Sequence, residues 1–306
     1  MRIPLLSESY RVNNDMRYKT VGLIGRPNHS GTYASLTVLV KELTQRGCNI
    51  LIESRITDSI DNKSLAVCSM EDIGKQADLA IVVGGDGYML GAARVLAGYP
   101  VDVVGVNRGN LGFLTDINPE DISRQLERIF AGQVHREERF LLEAKVHSNN
   151  KLKSTHVAIN EIVLHHSKVA RMMEFELYVG NDFVFSQRSD GLIIATPTGS
   201  TAYSLSGGGP ILVPQLDAIT LVPMFPHSLT SRPIVVDANS PLTLKISNQN
   251  TDNVQISCDS HVVIGLAPGD EVHIKKSPNL LSLVHPPEYS YFNVLRTKLN
   301  WGSKLF

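Results

Sequence analysis

Gly84-Gly85-Asp86-Gly87 presents one carboxylate on a glycine-rich turn, an arrangement that can serve a bound ligand. The glycines let the backbone turn tightly and let a ligand come close to the main chain. They follow Leu79-Ala-Ile-Val-Val83, an apolar run that reads as a buried strand. A carboxylate at the carboxyl end of such a strand stands where open α/β sheets bind ligands. Asp and Gly also dominate ordinary turns, so a solvent-facing Asp-Gly turn is the plain alternative. Arg94 lies too far along the next segment to be assumed the partner of Asp86.

Two more constellations carry candidate chemistry. Asp190-Gly-Leu-Ile-Ile-Ala195 reads as a strand that runs into Thr196-Pro-Thr-Gly-Ser-Thr-Ala-Tyr203-Ser-Leu-Ser206 and then three glycines. Hydroxyls and backbone N–H groups concentrated there make an anion site. A hydroxyl-capped helix start with a glycine-rich exit is the alternative. Asn160-Glu161 interrupts an apolar run, and its amide and carboxylate can grip sugar hydroxyls. A β-bulge or an edge strand explains the same pair without a ligand. There is no G-x-x-x-x-G-K-[ST] loop, and no G-x-G-x-x-G follows the first strand. Gly25-Arg26-Pro-Asn-His29 has the position of a phosphate loop without its pattern, and a solvated loop is the simpler reading.

The elements that must position these residues fall into two patterns. Up to about residue 135, strands alternate with helices. Val21–Gly25, Asn49–Glu53, Leu79–Val83 and Val101–Val106 read as strands. Leu36, Leu39, Val40 and Leu43 mark one face of a helix that Gly47 ends. Asn118-Pro119 opens another, with Ile122, Leu126, Ile129 and Phe130 on its apolar side. This alternation predicts a mostly parallel sheet covered on both faces. After residue 135, short alternating runs predict an all-β domain: Phe175–Val179, Leu242–Ile246, Asn253–Ser257, His261–Ile264 and Glu271–Ile274. Tyr291, Leu295 and Leu299 return to helical spacing, and that helix is expected to pack back on the first domain. The expected division is 1–135, completed by 286–306, against 136–285. Residues 1–19 read as a poorly ordered extension.

Composition narrows the function class. The chain has 306 residues, 42 % hydrophobic and 19 % charged, with a net charge of −1. That suits a globular protein of two domains and gives no basic surface for nucleic acid. No apolar run is long enough to span a bilayer. Cys48, Cys68 and Cys258 are scattered, which opposes a disulfide framework or structural zinc. A reducing cytoplasm is the expected compartment.

In order along the chain, Gly84-Gly-Asp-Gly87, Asn110-Leu-Gly-Phe-Leu-Thr-Asp116, Asn160-Glu161, Asp190-Gly-Leu-Ile and Thr196–Tyr203 resemble the motifs of NAD kinases. Pro223-Met-Phe-Pro-His227, Arg232-Pro233 and Cys258-Asp259 continue the likeness, and Arg188 resembles the Gram-negative bacterial branch. The resemblance implies phosphorylation of NAD on its adenosine 2′-hydroxyl, with ATP and a divalent cation, Mg²⁺, carried with the nucleotide and no protein metal site. It implies Asp86 as the general base, with Gly84, Gly85, Gly87 and Arg26 toward the ATP phosphates. It places NAD against Asp86, Gly87, Asn160, Glu161, Arg171, Arg188 and Asp190. The same resemblance adds Thr201, Ala202, Tyr203, Ser204, Leu205, Ser206 and His261. It further implies a homo-oligomer, dimer or tetramer, and a preference for NAD over NADH.

Two positions depart from the family. Tyr88 stands where relatives often carry Asn, and His261 where many carry Gln. Both leave Asp86 in place, so altered affinities are expected rather than lost chemistry. A lipid kinase is opposed by Asn160-Glu161, by the Thr196–Tyr203 block and by the lack of a membrane-binding stretch. A non-catalytic NAD(P) sensor, with Tyr88 blocking the donor, is opposed by the presence of Asp86.

Overall fold

The computed structural model describes residues 17–59, 65–109, 112–167, 172–250 and 253–302. The first part runs β1 (Thr20–Gly25), α1 (Ser30–Gln45), β2 (Asn49–Glu53), β3 (Ala66–Cys68), α2 (Met70–Gln76), β4 (Leu79–Gly84), α3 (Asp86–Leu96), β5 (Asp102–Asn107) and α4 (Ile122–Phe130). Its strands pair in the order β3-β2-β1-β4-β5, all parallel. Every residue of β4 is buried, as a parallel strand covered on both faces must be. Leu36, Leu39 and Leu43 of α1 share one core with Ile122, Leu126 and Ile129 of α4. Ile73 of α2 and Met89, Ala93 and Leu96 of α3 fill the opposite face. Gly47, with φ +72°, closes α1 as its position predicts.

The second part adds β6 (His135–Ser148), β7 (Lys151–Ala158), β8 (Glu161–His166), β9 (Met173–Val179), β10 (Asp182–Ser189), β11 (Gly191–Ala195) and a single turn α5 (Tyr203–Ser206). Then come β12 (Ala218–Met224), β13 (Ile234–Asp237), β14 (Leu242–Ile246), β15 (Val254–Cys258), β16 (Val262–Leu266), β17 (Glu271–His285) and α6 (Tyr291–Lys298). Six of these strands form an antiparallel sheet in the order β13-β12-β11-β8-β15-β16. The core between the sheets includes Leu142, Leu164, Phe175, Leu192, Leu244 and Ile256.

Three sequence expectations change. The strand expected to stop at Ile274 continues to His285, because a register shift between Lys276 and Leu280 absorbs the polar stretch around Pro278. Its far end pairs Ser282 and Leu283 with Asp102 and Val103 of β5, so one sheet runs from the parallel part into the antiparallel part. Asn160-Glu161 is not an edge strand, since β8 lies between β11 and β15. The extension read over residues 1–19 is too long at its inner end. Tyr18 is 2 % exposed and donates a hydrogen bond to Asp102 at 2.8 Å. Among the described residues, no helix is long and apolar enough to cross a membrane.

Candidate functional site

Asp86 is the first residue of α3, directly beyond the carboxyl end of β4. The chain leaves β1 and β4 toward opposite faces of the sheet, so their adjacent ends open a crevice. Gly84 and Gly85 pass through it, and the Arg26 N–H bonds to the Val83 carbonyl at 3.2 Å. Arg26 is exposed at this edge.

The segment 112–115 wraps the carboxylate. Phe113 N–H donates to Oδ2 at 2.8 Å, Leu114 N–H to Oδ1 at 3.0 Å, and the Thr115 hydroxyl to Oδ1 at 3.3 Å. A side chain on Gly112 would collide with Asp86. Lys298 of α6 reaches Oδ2 at 3.5 Å and covers the Phe113 ring at 4.6 Å. The carboxylate is thereby fixed in direction. Two donors stand on each oxygen, the longest contact being that of Lys298 with Oδ2, and the side chain is 29 % exposed.

Asn160 lies in the break between β7 and β8, and one carboxylate shapes that break. Asp259 Oδ1 accepts from Asn160 N–H at 2.8 Å and Glu161 N–H at 3.3 Å, while Oδ2 accepts from Ile159 N–H at 3.1 Å. Asp259 is 2 % exposed and has φ +48°, a left-handed turn that Asp tolerates. Arg94 of α3 pairs with Asp259 Oδ2 at 3.3 Å. The helix that carries Asp86 is thus tied to the turn that carries Asn160 and Glu161. From the other side, Thr196 donates its hydroxyl to the Ile159 carbonyl at 2.6 Å and its N–H to the Asn160 carbonyl at 2.9 Å. A side chain on Gly199 would strike the Asn160 carbonyl.

Glu161 is 3 % exposed, and its Oε2 has no hydrogen-bond partner among the described residues. Burial pushes its pKa up to about 8, the nearby Asp259 charge adds to this, and the Tyr203 N–H opposes it. The Thr196–Ser206 block forms a 3-10 turn at Gly199–Thr201 followed by α5, without the side-chain cap that its hydroxyls suggest. Thr201, Ala202 and Leu205 are half-buried and Ser206 is exposed. Ser204 is buried, and its hydroxyl lacks a hydrogen-bond partner among the described residues. The Tyr203 ring is 44 % exposed. Tyr291 of α6 joins this block to the Asp86 cradle. Its ring lies 6.2 Å from Phe113, and its hydroxyl donates to the Leu212 carbonyl at 3.1 Å. Leu212 N–H in turn bonds the Ser200 hydroxyl at 3.0 Å. His261 and Gly87 line one cavity beside α3.

Two expected ligands of NAD stand apart from this group. In the ladder between β11 and β8, Ala195 pairs with Glu161 and Gly191 pairs with His165. Asp190 precedes Gly191, so a strand of about 13 Å separates it from the Glu161 end. Arg188, exposed near the end of β10, lies on that far side, where its carbonyl accepts the His227 N–H at 3.0 Å. A strand's fixed rise per residue therefore keeps both from Glu161 within one chain. Arg171 lies outside the described residues. Sequence reasoning missed Arg94 as the partner of Asp259, and it gave no role to Thr196 or to the 112–115 cradle. The quoted motifs contained Thr196, Asp259 and the whole of that cradle, but motif letters do not reveal which backbone groups they hold. No group of three or more His, Cys, Asp or Glu side chains among the described residues is arranged to hold a metal ion.

The chain is similar to known proteins over most of its length. A family described as the ATP-NAD kinase N-terminal domain matches residues 21–134, and one described as the ATP-NAD kinase C-terminal domain matches residues 159–286. The chain is 58 % identical to the NAD kinase of Colwellia psychrerythraea over 94 % of its length and 99 % of the relative. It is 59 % identical to that of Pseudoalteromonas translucida over 95 % of its length and 100 % of the relative. In fold it resembles yeast NADH kinase complexed with NADH, with a TM-score of 0.86 at 23 % identity over 94 % of this chain and 89 % of that one. An Archaeoglobus fulgidus NAD kinase in complex with ATP gives 0.70 at 22 % identity, over 93 % of this chain and 100 % of that one.

Proposed function

The chain belongs to the NAD kinase family, and on that premise we propose that it transfers the γ-phosphate of ATP to the 2′-hydroxyl of the adenosine ribose of NAD, with Asp86 as general base. The observation that carries this reading is the oriented carboxylate at the head of α3, held by two backbone N–H groups and a hydroxyl. A ribose hydroxyl is a poor nucleophile at neutral pH. A carboxylate within hydrogen-bond reach takes its proton as the new P–O bond forms, which contributes roughly 10²–10⁴-fold. The rest of such a transfer is positioning and charge neutralisation. The Gly84–Gly87 turn and the start of α3 supply N–H groups toward phosphate, Arg26 is exposed at the same edge, and Lys298 brings a cation to Asp86.

NAD is read against Gly87, Asn160, Glu161, the Thr201–Ser206 segment and His261. The unpartnered Glu161 Oε2 and Ser204 hydroxyl support this, because buried polar atoms are normally satisfied and these two await a partner. Arg171, Arg188 and Asp190 remain NAD ligands by family likeness alone. Mg²⁺ is read as arriving on the ATP phosphates, since it commonly takes few protein ligands. Bound there, it would neutralise phosphate charge. The division into 1–135 with 286–306, and 136–285, is kept as the working domain boundary. The three unpaired cysteines support a reducing compartment, the cytoplasm. Phe225 and Leu229, 81 % and 94 % exposed, support a homo-oligomer.

Incubation with NAD, ATP and Mg²⁺, followed by NMR of the product, tests the reading. NADP carrying the 2′-phosphate is expected. NAD recovered unchanged while ATP is hydrolysed, or phosphate on another hydroxyl, would refute it.

A further inference from the structure

We propose that His285, at the end of β17, is a positioning residue for the reaction: it holds Asp116 behind the Asp86 cradle and links it, through Glu137 and Arg139, to the Thr198 turn that opens the acceptor block. This rests on the reading of Asp86 as the base and of the Thr201–Ser206 segment as part of the NAD site.

Asp116 directly follows the 112–115 cradle. Beyond it the chain is locked to β5, with the Ile117 N–H on the Gly105 carbonyl at 3.1 Å and the Ile117 carbonyl on the Asn107 N–H at 2.9 Å. Asp116 Oδ2 accepts the His285 Nδ1–H at 2.9 Å. A carboxylate only accepts, which fixes the proton on Nδ1. His285 is 1 % exposed, and its ring stacks on Tyr289 with centroids 3.8 Å apart and planes 10° apart. Packing and bond together give the ring one orientation, and Asp116 with it. Thr115, one residue back, donates its hydroxyl to Asp86 Oδ1. A shift at Asp116 therefore reaches the base across one peptide unit.

The other edge of the ring leads to the second half of the site. His285 pairs with His135 in the ladder between β17 and β6, close to where β17 joins β5. Its Nε2 stands 3.7 Å from Glu137 Oε2. Glu137 is held by Arg139, by Gln215 Nε2 at 3.0 Å and by His135 Nε2 at 3.2 Å. Arg139 in turn donates to the Thr198 hydroxyl at 3.4 Å. Thr198 immediately precedes the Gly199–Thr201 turn. Buried side chains thus run in one line from behind the base to the acceptor block.

Stability does not account for this line. Glu137 and Arg139 are buried along with His285. Taking ionisable groups out of water is costly, and apolar side chains of similar volume in their place are often neutral or stabilising. Asp116 Oδ1, Arg139 Nε and His285 Nε2 have no hydrogen-bond partner among the described residues, which adds to the cost. What the line supplies is direction, because a hydrogen bond admits a narrow range of distance and angle. The proposed transfer needs that direction: a misplacement of about 1 Å between reacting groups costs about 10²-fold in rate.

NADP formation, equilibrium NAD binding and amide hydrogen exchange, measured on the native chain, His285→Phe, His285→Asn and Asp116→Ala, test the assignment. Phe keeps a stacking ring and removes both polar contacts, whereas Asn returns a donor near the place of Nδ1. In His285→Phe, kcat is expected to fall about tenfold or more, with NAD affinity within about threefold of native. The Phe113 and Leu114 amides, which bond Asp86, should exchange faster while those of β1 and α1 keep their native rates. His285→Asn should restore part of kcat and of that protection. Asp116→Ala removes the same bond from its other side; it should match His285→Phe, and it carries the test if that variant does not fold. A folded His285→Phe with kcat within about twofold of native would overturn the proposal. So would a loss of kcat, NAD affinity and exchange protection throughout the chain that His285→Asn does not repair, since that marks a merely structural role. A native chain that forms no NADP, yet shows the local change in exchange, would remove the kinase reading and leave the His285 tie standing.

Discussion

Glu161 gives the structure a stability signature that can be read without substrate. Its pKa in the folded chain is about 8 against an ordinary 4.5, chiefly through burial and then through the Asp259 charge. Between those values the folded chain keeps a proton that the unfolded chain has released. Stability from that proton is complete below the unfolded value and is lost as pH rises through about 8. Each tenfold gain in proton affinity on folding corresponds to about 1.4 kcal/mol, which makes the whole contribution roughly 4–5 kcal/mol. Glu161→Gln keeps the shape of the neutral acid and titrates nothing. The unfolding free energy of the variant minus that of the native chain should therefore climb by about 1.4 kcal/mol per pH unit from about pH 5 to about pH 8. It should be level at higher pH. Urea denaturation of both chains across that range measures it, and the other titrating groups largely cancel in the difference. A difference that stays flat across the window would refute the reasoning, because Glu161 would then be ionised in the folded chain.

Other consequences follow from the same contacts. Arg94→Met removes the tie between α3 and the Asn160 turn. The Michaelis constant for NAD should rise about tenfold, roughly 1.4 kcal/mol, with part of the loss restored in Arg94→Lys; steady-state kinetics within twofold of native would contradict the tie. Gly112→Ala pushes a methyl into Asp86, so kcat should fall at least tenfold while NAD still binds by titration calorimetry. Thr196→Val leaves the Ile159 carbonyl and the Gly199 N–H without their hydroxyl partner. It should cost about 2–6 kcal/mol in denaturant unfolding, at about 1–3 kcal/mol for each stranded group.

The local parts of the site were legible and the long-range parts were not. The Asp86 turn follows a continuous apolar strand, and both features lie within one short stretch of sequence. The helices over Leu36–Leu43 and Ile122–Phe130 announced themselves through their own spacing. The Arg94–Asp259 pair spans 165 positions, and no periodicity links such residues. Asp190 and Arg188 share a motif region with Thr196 and Tyr203, yet a strand carries them to its other end. Sequence proximity is a poor guide wherever an extended strand lies between two residues. The length of β17 was hidden because Lys275-Lys276-Ser277-Pro278 looks like a loop, whereas a bulge carries the strand through it.

Asp86→Asn tests the central claim most directly, because it preserves the size of Asp86 and one of its two accepting oxygens and removes its basicity. NADP formation and equilibrium NAD binding are measured side by side on the native and variant chains. If Asp86 is the base, kcat falls by roughly 10²–10⁴-fold with NAD affinity within a few-fold of native. A variant that forms NADP at a rate near the native one would contradict that role.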